Sequence, residues 1–312
     1  ASLFNLHIIP TSSFTEYRLR AAGTTPHWSH KNRLTIMPRI TIASVQPPVF
    51  AEKSSAINTQ IIEAGFRYLE EGLQSGASIA CLPEYFNVFG VSESHMLQQA
   101  EHSADLLTRT QEIAAAHRAY VILPLLLRQG ERFRNRAHLI GPSGSIEGSY
   151  DKTHPTLGEI ENLSVEAGQE IKVFDTEHGR IALVICYDIY FPELFAKLTD
   201  LKPDIIFLPS LQRSDHEMAS EAILKTRAMD TKSYFVRSSY GCPIDVPWKA
   251  GMMFGQSAVI HPDGTVLSNA GHYEGLALAR ITIPFEWRRQ RCGGYPAMGV
   301  RNFLAEDRRP DV

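Results

Sequence analysis

The sequence predicts an α/β fold: mixed β-sheets with helices packed on their outer faces, in one domain. Three observations carry it. From Met37 onward, apolar strand patterns and amphipathic helix patterns alternate with little linker between them. Short runs such as Ile181 to Ile185 ("IALVI") are apolar throughout, as strands buried on both faces are. Hairpin signals, such as Pro142-Ser143-Gly144 in "LIGPSGSIEG", interrupt the βαβ alternation, so the sheets are not purely parallel.

The elements follow in order. "MPRITIASVQ" opens the first strand at Met37. Ile57, Ile61, Ala64, Tyr68 and Leu69 mark one face of a helix that ends near Gly76. "ASIACLPEYF" is a buried strand running into Pro83-Glu84, residues 103–118 form a second helix, and "AYVILPLLL" is the next strand. "RAHLIGPSGSIEGSYDK" and, after a loop, "IKVFDTEHGRIALVIC" each read as two paired strands. Pro192 suits the first turn of a helix carrying Leu194, Leu198 and Leu201 on one side. The strand "DIIFLPS", a helix over 217–231, and strands at "SYFVRSS", "GQSAVIHP", "GTVLSN" and "GLALARI" complete the pattern.

Residues 1–36 stand apart from this 37–312 domain. They are rich in Ser and Thr, hold Glu16 as their one acid, and lack periodicity. An extended arm, a targeting segment and sequence outside the mature domain are the three readings; no apolar stretch suits a secretory signal.

Bulk properties narrow the function. A net charge of −3 over 312 residues, with signs scattered, offers nothing to nucleic acid. No apolar run approaches the roughly 20 residues of a membrane span. Cys81, Cys186, Cys242 and Cys292 lie far apart without CxxC spacing, which fits a reducing, cytoplasmic setting. HExxH, GxxxxGK[ST] and a GxGxxG after a strand are absent, so no metal or nucleotide cofactor is expected.

Three strand ends carry chemistry. Glu84 follows the strand at 78–82, Lys152 the strand at 146–150, and Cys186 the strand at 181–185. Singly, each has an ordinary role: a turn carboxylate, a loop cation, a buried small hydrophobe. Together they place three chemically capable side chains at the edge where ligands collect in α/β sheets.

These stretches resemble the nitrilase superfamily, the carbon–nitrogen hydrolases, from about Arg39 to the end of the chain. The specific parts are "LPEYF" with Glu84, "GSYDKTHPTLGE" with Lys152, and "VICYDIYFPE" with Cys186; "FGQSAVIHPDGTVL" and the terminal "EDRRPDV" support them. The resemblance implies a four-layer αββα sandwich of two mixed β-sheets with outer helices. It implies a Glu84-Lys152-Cys186 triad working without a cofactor on a small amide, carbamoyl or nitrile substrate through a thioester. It also implies a second glutamate that orients the lysine, Glu159 matching best and Glu161 being the fallback, and a homodimer or higher even assembly paired through helices near the cysteine.

Within that family, Cys-Tyr-Asp at 186–188 favours amide or carbamoyl substrates over nitriles, while "HPTLGE" leans toward the nitrile branch. The arginines that bind N-carbamoyl amino acids are replaced by Ile189 and Tyr190, so Arg213 or Arg237 would have to anchor a carboxylate. Tyr187, Tyr190, Phe191 and Gln212 are the substrate-binding candidates. Two other readings remain: a Cys-His-Glu amidotransferase using His272-Tyr273-Glu274, disfavoured because no small residues flank the nucleophile, and a non-catalytic binding or scaffold module. A Cys–His pair with His154 or His216 is weaker, since a lone loop histidine is usually solvated.

Overall fold

The computed structural model describes residues 39–211, 217–249, 252, 255–283, 288–289 and 298–299. The arm read into residues 1–36, the pocket residue Gln212, Arg213, His216, Cys292 and the terminal "EDRRPDV" lie outside them.

Strands β1 (Arg39–Gln46), β2 (Ala77–Cys81), β3 (Tyr120–Gln129), β4 (Arg132–Ile140) and β5 (Ile146–Asp151) are joined at the far edge by β12 (Gly275–Thr282), giving the order β12-β1-β2-β3-β4-β5. The second sheet comprises β6 (Val173–Thr176), β7 (Gly179–Leu183), β8 (Ile205–Pro209), β9 (Tyr234–Ser238), β10 (Ala258–Ile260) and β11 (Val266–Asn269), in that spatial order. From β12 across the first sheet the pairings run antiparallel, parallel, parallel, antiparallel, antiparallel. From β6 across the second they run in the same sequence of senses. The two sheets are thus built alike, although the sequence carries no visible repeat. A separate short pair joins β13 (Arg288–Arg289) to β14 (Met298–Gly299).

Alternation along each strand makes the layers. Ile40 and Ile42 of β1, Ile79 and Cys81 of β2, and Ile122 of β3 face Ile181 and Leu183 of β7, Phe207 of β8 and Val236 of β9 in a core between the sheets. The opposite residues of the first sheet, among them Ala43, Val45 and Ala80, meet Phe66, Leu69 and Leu73 of α1 (Ser55–Gln74) and Ile113 of α3 (Ser103–His117). Ala182, Ile206 and Leu208 on the outer face of the second sheet meet Leu194, Phe195 and Leu198 of α5 (Pro192–Leu201) and Leu224 and Ala228 of α6 (Glu217–Thr231). Each fully buried Leu, Ile or Phe contributes about 1.5–3 kcal/mol of transfer free energy, spread over three apolar layers. The fold is the expected four-layer αββα sandwich.

Local signals set the helix ends. Ser54 caps α1 by accepting the Ile57 N–H at 3.1 Å. Pro192 opens α5, and Lys202 in a left-handed conformation closes it. Two helices stand outside the sequence reading, α2 (Glu93–Ala100) and α4 (Leu157–Leu163). The second has a visible cause: Thr156 and Glu159 form a capping box, each side chain receiving the other residue's backbone N–H.

Candidate active site

Glu84 sits three residues beyond β2, Lys152 directly after β5, and Cys186 three residues beyond β7, where a five-residue 3₁₀ turn (Cys186–Tyr190) leads into α5. Two of the bends are strained. Cys186 has φ +42° and Tyr85, next to Glu84, has φ +58°, the left-handed region that side chains with a Cβ rarely adopt. The cysteine therefore stands on a sharp strand-to-helix turn without the small neighbours such a turn usually enlists.

Lys152 is the centre of the cluster. Its ammonium, buried to 2% exposure, donates to Glu84 Oε1 at 2.8 Å and to Glu159 Oε2 at 2.8 Å. Among the described residues its third N–H has no acceptor, which leaves a donor for an incoming oxygen. Burial opposes the charge on Lys152, but Glu84, Cys186 and Glu159 outweigh it and hold the proton more tightly than on an ordinary lysine.

The two carboxylates are driven apart. Burial raises the pKa of Glu84 above the usual carboxylate range; Lys152 opposes this and Glu159 adds to it. Burial also acts to raise Glu159, but Lys152 and hydrogen bonds from Lys152, Tyr85 and the Thr156 backbone hold it below that range. Tyr85 Oη donates to Glu159 Oε1 at 2.5 Å. Splitting a carboxylate pair this way suits one to carry a proton and the other to stay charged. Glu161, the fallback, is exposed on α4.

The Cys186 thiol is half-buried and packs at the edge of the inter-sheet core. Burial and the nearby Glu84 carboxylate push its pKa up to about 12, against the pull of Lys152 and the Leu211 backbone. At neutral pH the sulfur holds its proton, with Glu84 beside it as acceptor. Such a thiol becomes a nucleophile only by giving up its proton during attack.

Several site residues are not singled out by the sequence. Asn135 on β4, 1% exposed, donates through Nδ2 to Glu84 Oε1 at 2.8 Å and to Glu159 Oε1 at 2.9 Å. The Leu211 N–H donates to Glu84 Oε2 at 2.8 Å, and Tyr240 Oη donates to the Glu84 carbonyl at 2.8 Å. Asp188, fully buried, ties the cysteine turn to the lysine loop. Its Oδ2 accepts from Ile185 N and Tyr150 Oη, both at 2.8 Å; its Oδ1 accepts from His154 N at 3.0 Å and His154 Nδ1 at 2.9 Å, with Thr153 Oγ1 at 3.1 Å. A carboxylate only accepts, so His154 carries its hydrogen on Nδ1.

The aromatic candidates gather beside the turn. Phe191 stacks on His154 with ring centres 3.7 Å apart, and Tyr187 packs against Tyr190 and Phe191. Arg237 is buried, donating to Ser220 Oγ at 3.0 Å and the Gly255 carbonyl at 3.2 Å. The His272-Tyr273-Glu274 stretch is engaged elsewhere: His272 stacks on Trp248, and Glu274 accepts from Tyr68 and Arg67 on α1. No group of three or more His, Cys, Asp or Glu among the described residues could hold a metal, and no described helix is long and apolar enough to cross a membrane.

A family model described as carbon–nitrogen hydrolase matches residues 41–285. Deaminated glutathione amidase of Mus musculus is 29% identical over 233 residues, covering 70% of this chain and 71% of that protein. The protein of that name from Synechocystis sp. is 28% identical over 243 residues, covering 72% and 86%. An amidase from Nesterenkonia sp. superposes with a TM-score of 0.66 at 22% identity, covering 78% of this chain and 90% of that one. The NitFhit protein of C. elegans gives 0.68 at 23% identity, over 79% and 61%.

Proposed function

The chain belongs to the carbon–nitrogen hydrolase family, and on that premise we propose that it cleaves a small amide or N-carbamoyl compound through a thioester on Cys186, with Glu84, Lys152 and Glu159 as the other catalytic groups. It is an amidase-type enzyme. The observation that carries the residue assignment is the buried Lys152 ammonium, 2.8 Å from each of two carboxylates and within electrostatic reach of Cys186.

Sγ attacks the amide carbon as its proton passes to Glu84; the S–H bond breaks, and O–H and S–C bonds form. The oxyanion is met by the third N–H of Lys152 and by the backbone N–H that follows Cys186, donors of a kind worth about 3–4 kcal/mol each. Glu84 then gives its proton to the departing nitrogen, which leaves as ammonia or an amine. Water attacks the thioester, Glu84 takes its proton, and the thiol is restored as the acid departs. Glu159 stays ionised throughout and holds Lys152 in position.

Tyr187, Tyr190 and Phe191 are proposed to line the substrate's approach, on the strength of their clustering beside the turn. The deaminated glutathione amidases among its relatives support an amide rather than a nitrile as substrate. A homodimer or higher even assembly through α5 and α6 belongs to the same reading, since Tyr190 just before α5, Leu201 and Met229 leave apolar surface exposed there; only monomer by light scattering at micromolar concentration would remove it. A reducing, cytoplasmic setting accords with Cys81, Cys186 and Cys242 as free thiols.

The test is intact-protein mass spectrometry on mixing with short amides, carbamoyl compounds and nitriles, with ammonia assayed in parallel. The expected result is an acyl adduct on Cys186, with ammonia from amides and little from nitriles. Retained turnover in Cys186→Ala would overturn the assignment.

A further inference from the structure

The two oxygens of Glu84 are held differently. Oε1 accepts from Lys152 Nζ and from Asn135 Nδ2, both at 2.8 Å, which fills its two lone pairs. Oε2 accepts the Leu211 N–H at 2.8 Å, that same N–H bears on the Cys186 sulfur, and the Cys186 thiol is itself a hydrogen-bond partner of the Glu84 carboxylate. A proton leaving Cys186 therefore has one unfilled site nearby, the second lone pair of Oε2.

Asn135 makes this arrangement at a disadvantage to itself. Its two amide hydrogens go one to Glu84 and one to Glu159, while its own Oδ1 is buried with no hydrogen-bond partner among the described residues. Turning the amide over would face Oδ1 toward two carboxylate oxygens, so the orientation that leaves Oδ1 unpaired is the favourable one. A side chain chosen only to pack this position would not need a buried amide with half its capacity unmet.

We propose that Asn135 is a positioning residue that keeps Glu84 ionised between turnovers and confines the catalytic proton to Glu84 Oε2. The inference rests on the triad reading above. The titratable and charged groups facing Glu84 are Lys152 after β5, Glu159 on α4, Cys186 on the 3₁₀ turn, Tyr85 beside it and Tyr240 after β9. Lys152 is the one cation in that set, and it is shared by two acids. Withdrawing the Asn135 hydrogens removes a donor from each acid, and both then bind protons more readily. Oε1 becomes a second resting place for the proton.

The experiment measures alkylation of Cys186 by iodoacetamide across pH, with peptide mapping to separate it from Cys81, Cys242 and Cys292. It compares wild type, Asn135→Leu and Asn135→Asp, with thermal melts for each. In the wild type the rate rises through an acid limb as Glu84 ionises and then levels. The limb is expected to move upward by about one pH unit in Asn135→Leu and further in Asn135→Asp, where a third carboxylate enters the cluster. Loosened packing alone would change the plateau and leave the limb in place. A limb within about 0.3 unit of wild type in both variants overturns the Asn135 inference. If Asn135→Leu does not fold, the uncharged and smaller Asn135→Ala takes its place beside Asn135→Asp. A wild-type thiol with no level region, climbing toward a free-cysteine midpoint near about 8.5, overturns the triad reading instead.

Discussion

Asp188→Asn is the most informative single substitution, because it keeps shape and volume while changing one acceptor into a donor. Both oxygens of Asp188 are fully used. Oδ2 holds Ile185 N and Tyr150 Oη, and Oδ1 holds His154 N, His154 Nδ1 and Thr153 Oγ1. The hydroxyls can turn to accept from an amide, and His154 can change tautomer. The backbone N–H groups of Ile185 and His154 cannot. Whichever way the substituted amide lies, its NH₂ faces one of them and leaves it buried and unpaired, at a cost of about 1–3 kcal/mol. Loss of the negative charge weakens the remaining bonds by about 1 kcal/mol more. Urea denaturation is therefore expected to register about 2–4 kcal/mol of destabilisation with an unchanged m-value. The same change loosens the tie between the turn bearing Cys186 and the loop bearing Lys152, so amide turnover and Cys186 alkylation fall together. A loss below about 1 kcal/mol with unaltered alkylation would refute the view of Asp188 as that tie.

Three further outcomes are expected. Lys152→Met leaves Glu84 and Glu159 buried without a cation, which abolishes turnover and destabilises by about 3–5 kcal/mol; because both folded-state carboxylate pKa values then rise, the deficit relative to wild type shrinks as pH falls, and a pH-independent deficit under about 1 kcal/mol would contradict it. Burial, aided by the Arg136 cation, lowers the His138 pKa to about 4. The unfolded histidine takes up its proton near about 6.5, so this contribution is whole above that pH and is lost as pH falls toward the folded value, about 3 kcal/mol in all; His138→Gln should remove that acid sensitivity in denaturation curves. Gly168 donates its N–H to the Lys152 carbonyl at 2.8 Å, and a Cβ there would stand 2.2 Å from the Asp151 carbonyl oxygen. Gly168→Ala should destabilise by about 1–3 kcal/mol and lower kcat by displacing the lysine loop, whereas unaltered kcat would contradict that link.

The strand ends are where sequence and site meet most directly. Ile181 to Ile185 and Ala77 to Cys81 announce buried strands through local composition alone, and the reactive residues stand just past them. The "TLGE" spacing of Thr156 and Glu159 carries a helix-start signature that accounts for α4 and for how Glu159 is aimed. Asn135 has no such signal. It lies between Arg134 and Arg136 in "RFRNRAHLI", a polar stretch that reads as solvent-facing. It is buried because Glu84, Glu159 and Lys152 arrive over it from residues 51, 24 and 17 positions away in the chain. Asp188 enters the sequence reading only as part of Cys-Tyr-Asp at 186–188, and its bracing role is not legible there, since its partners are divided between its own turn and the 150–154 loop.

By itself the sequence determined the strands of the two sheets and most of the helices, because each depends on periodicity within a short stretch, and it offered the three strand-end residues through motifs that resemble a known family. Only the tertiary structure decided that β12 returns to pair with β1, that the two sheets share one order of strand senses, and that two carboxylates, a lysine and a thiol meet in a space small enough to shift one another's protons. Those outcomes depend on distances between segments remote in the chain. Burial and Coulomb interaction act through space, and a linear pattern holds no record of them until the sheets have closed face to face.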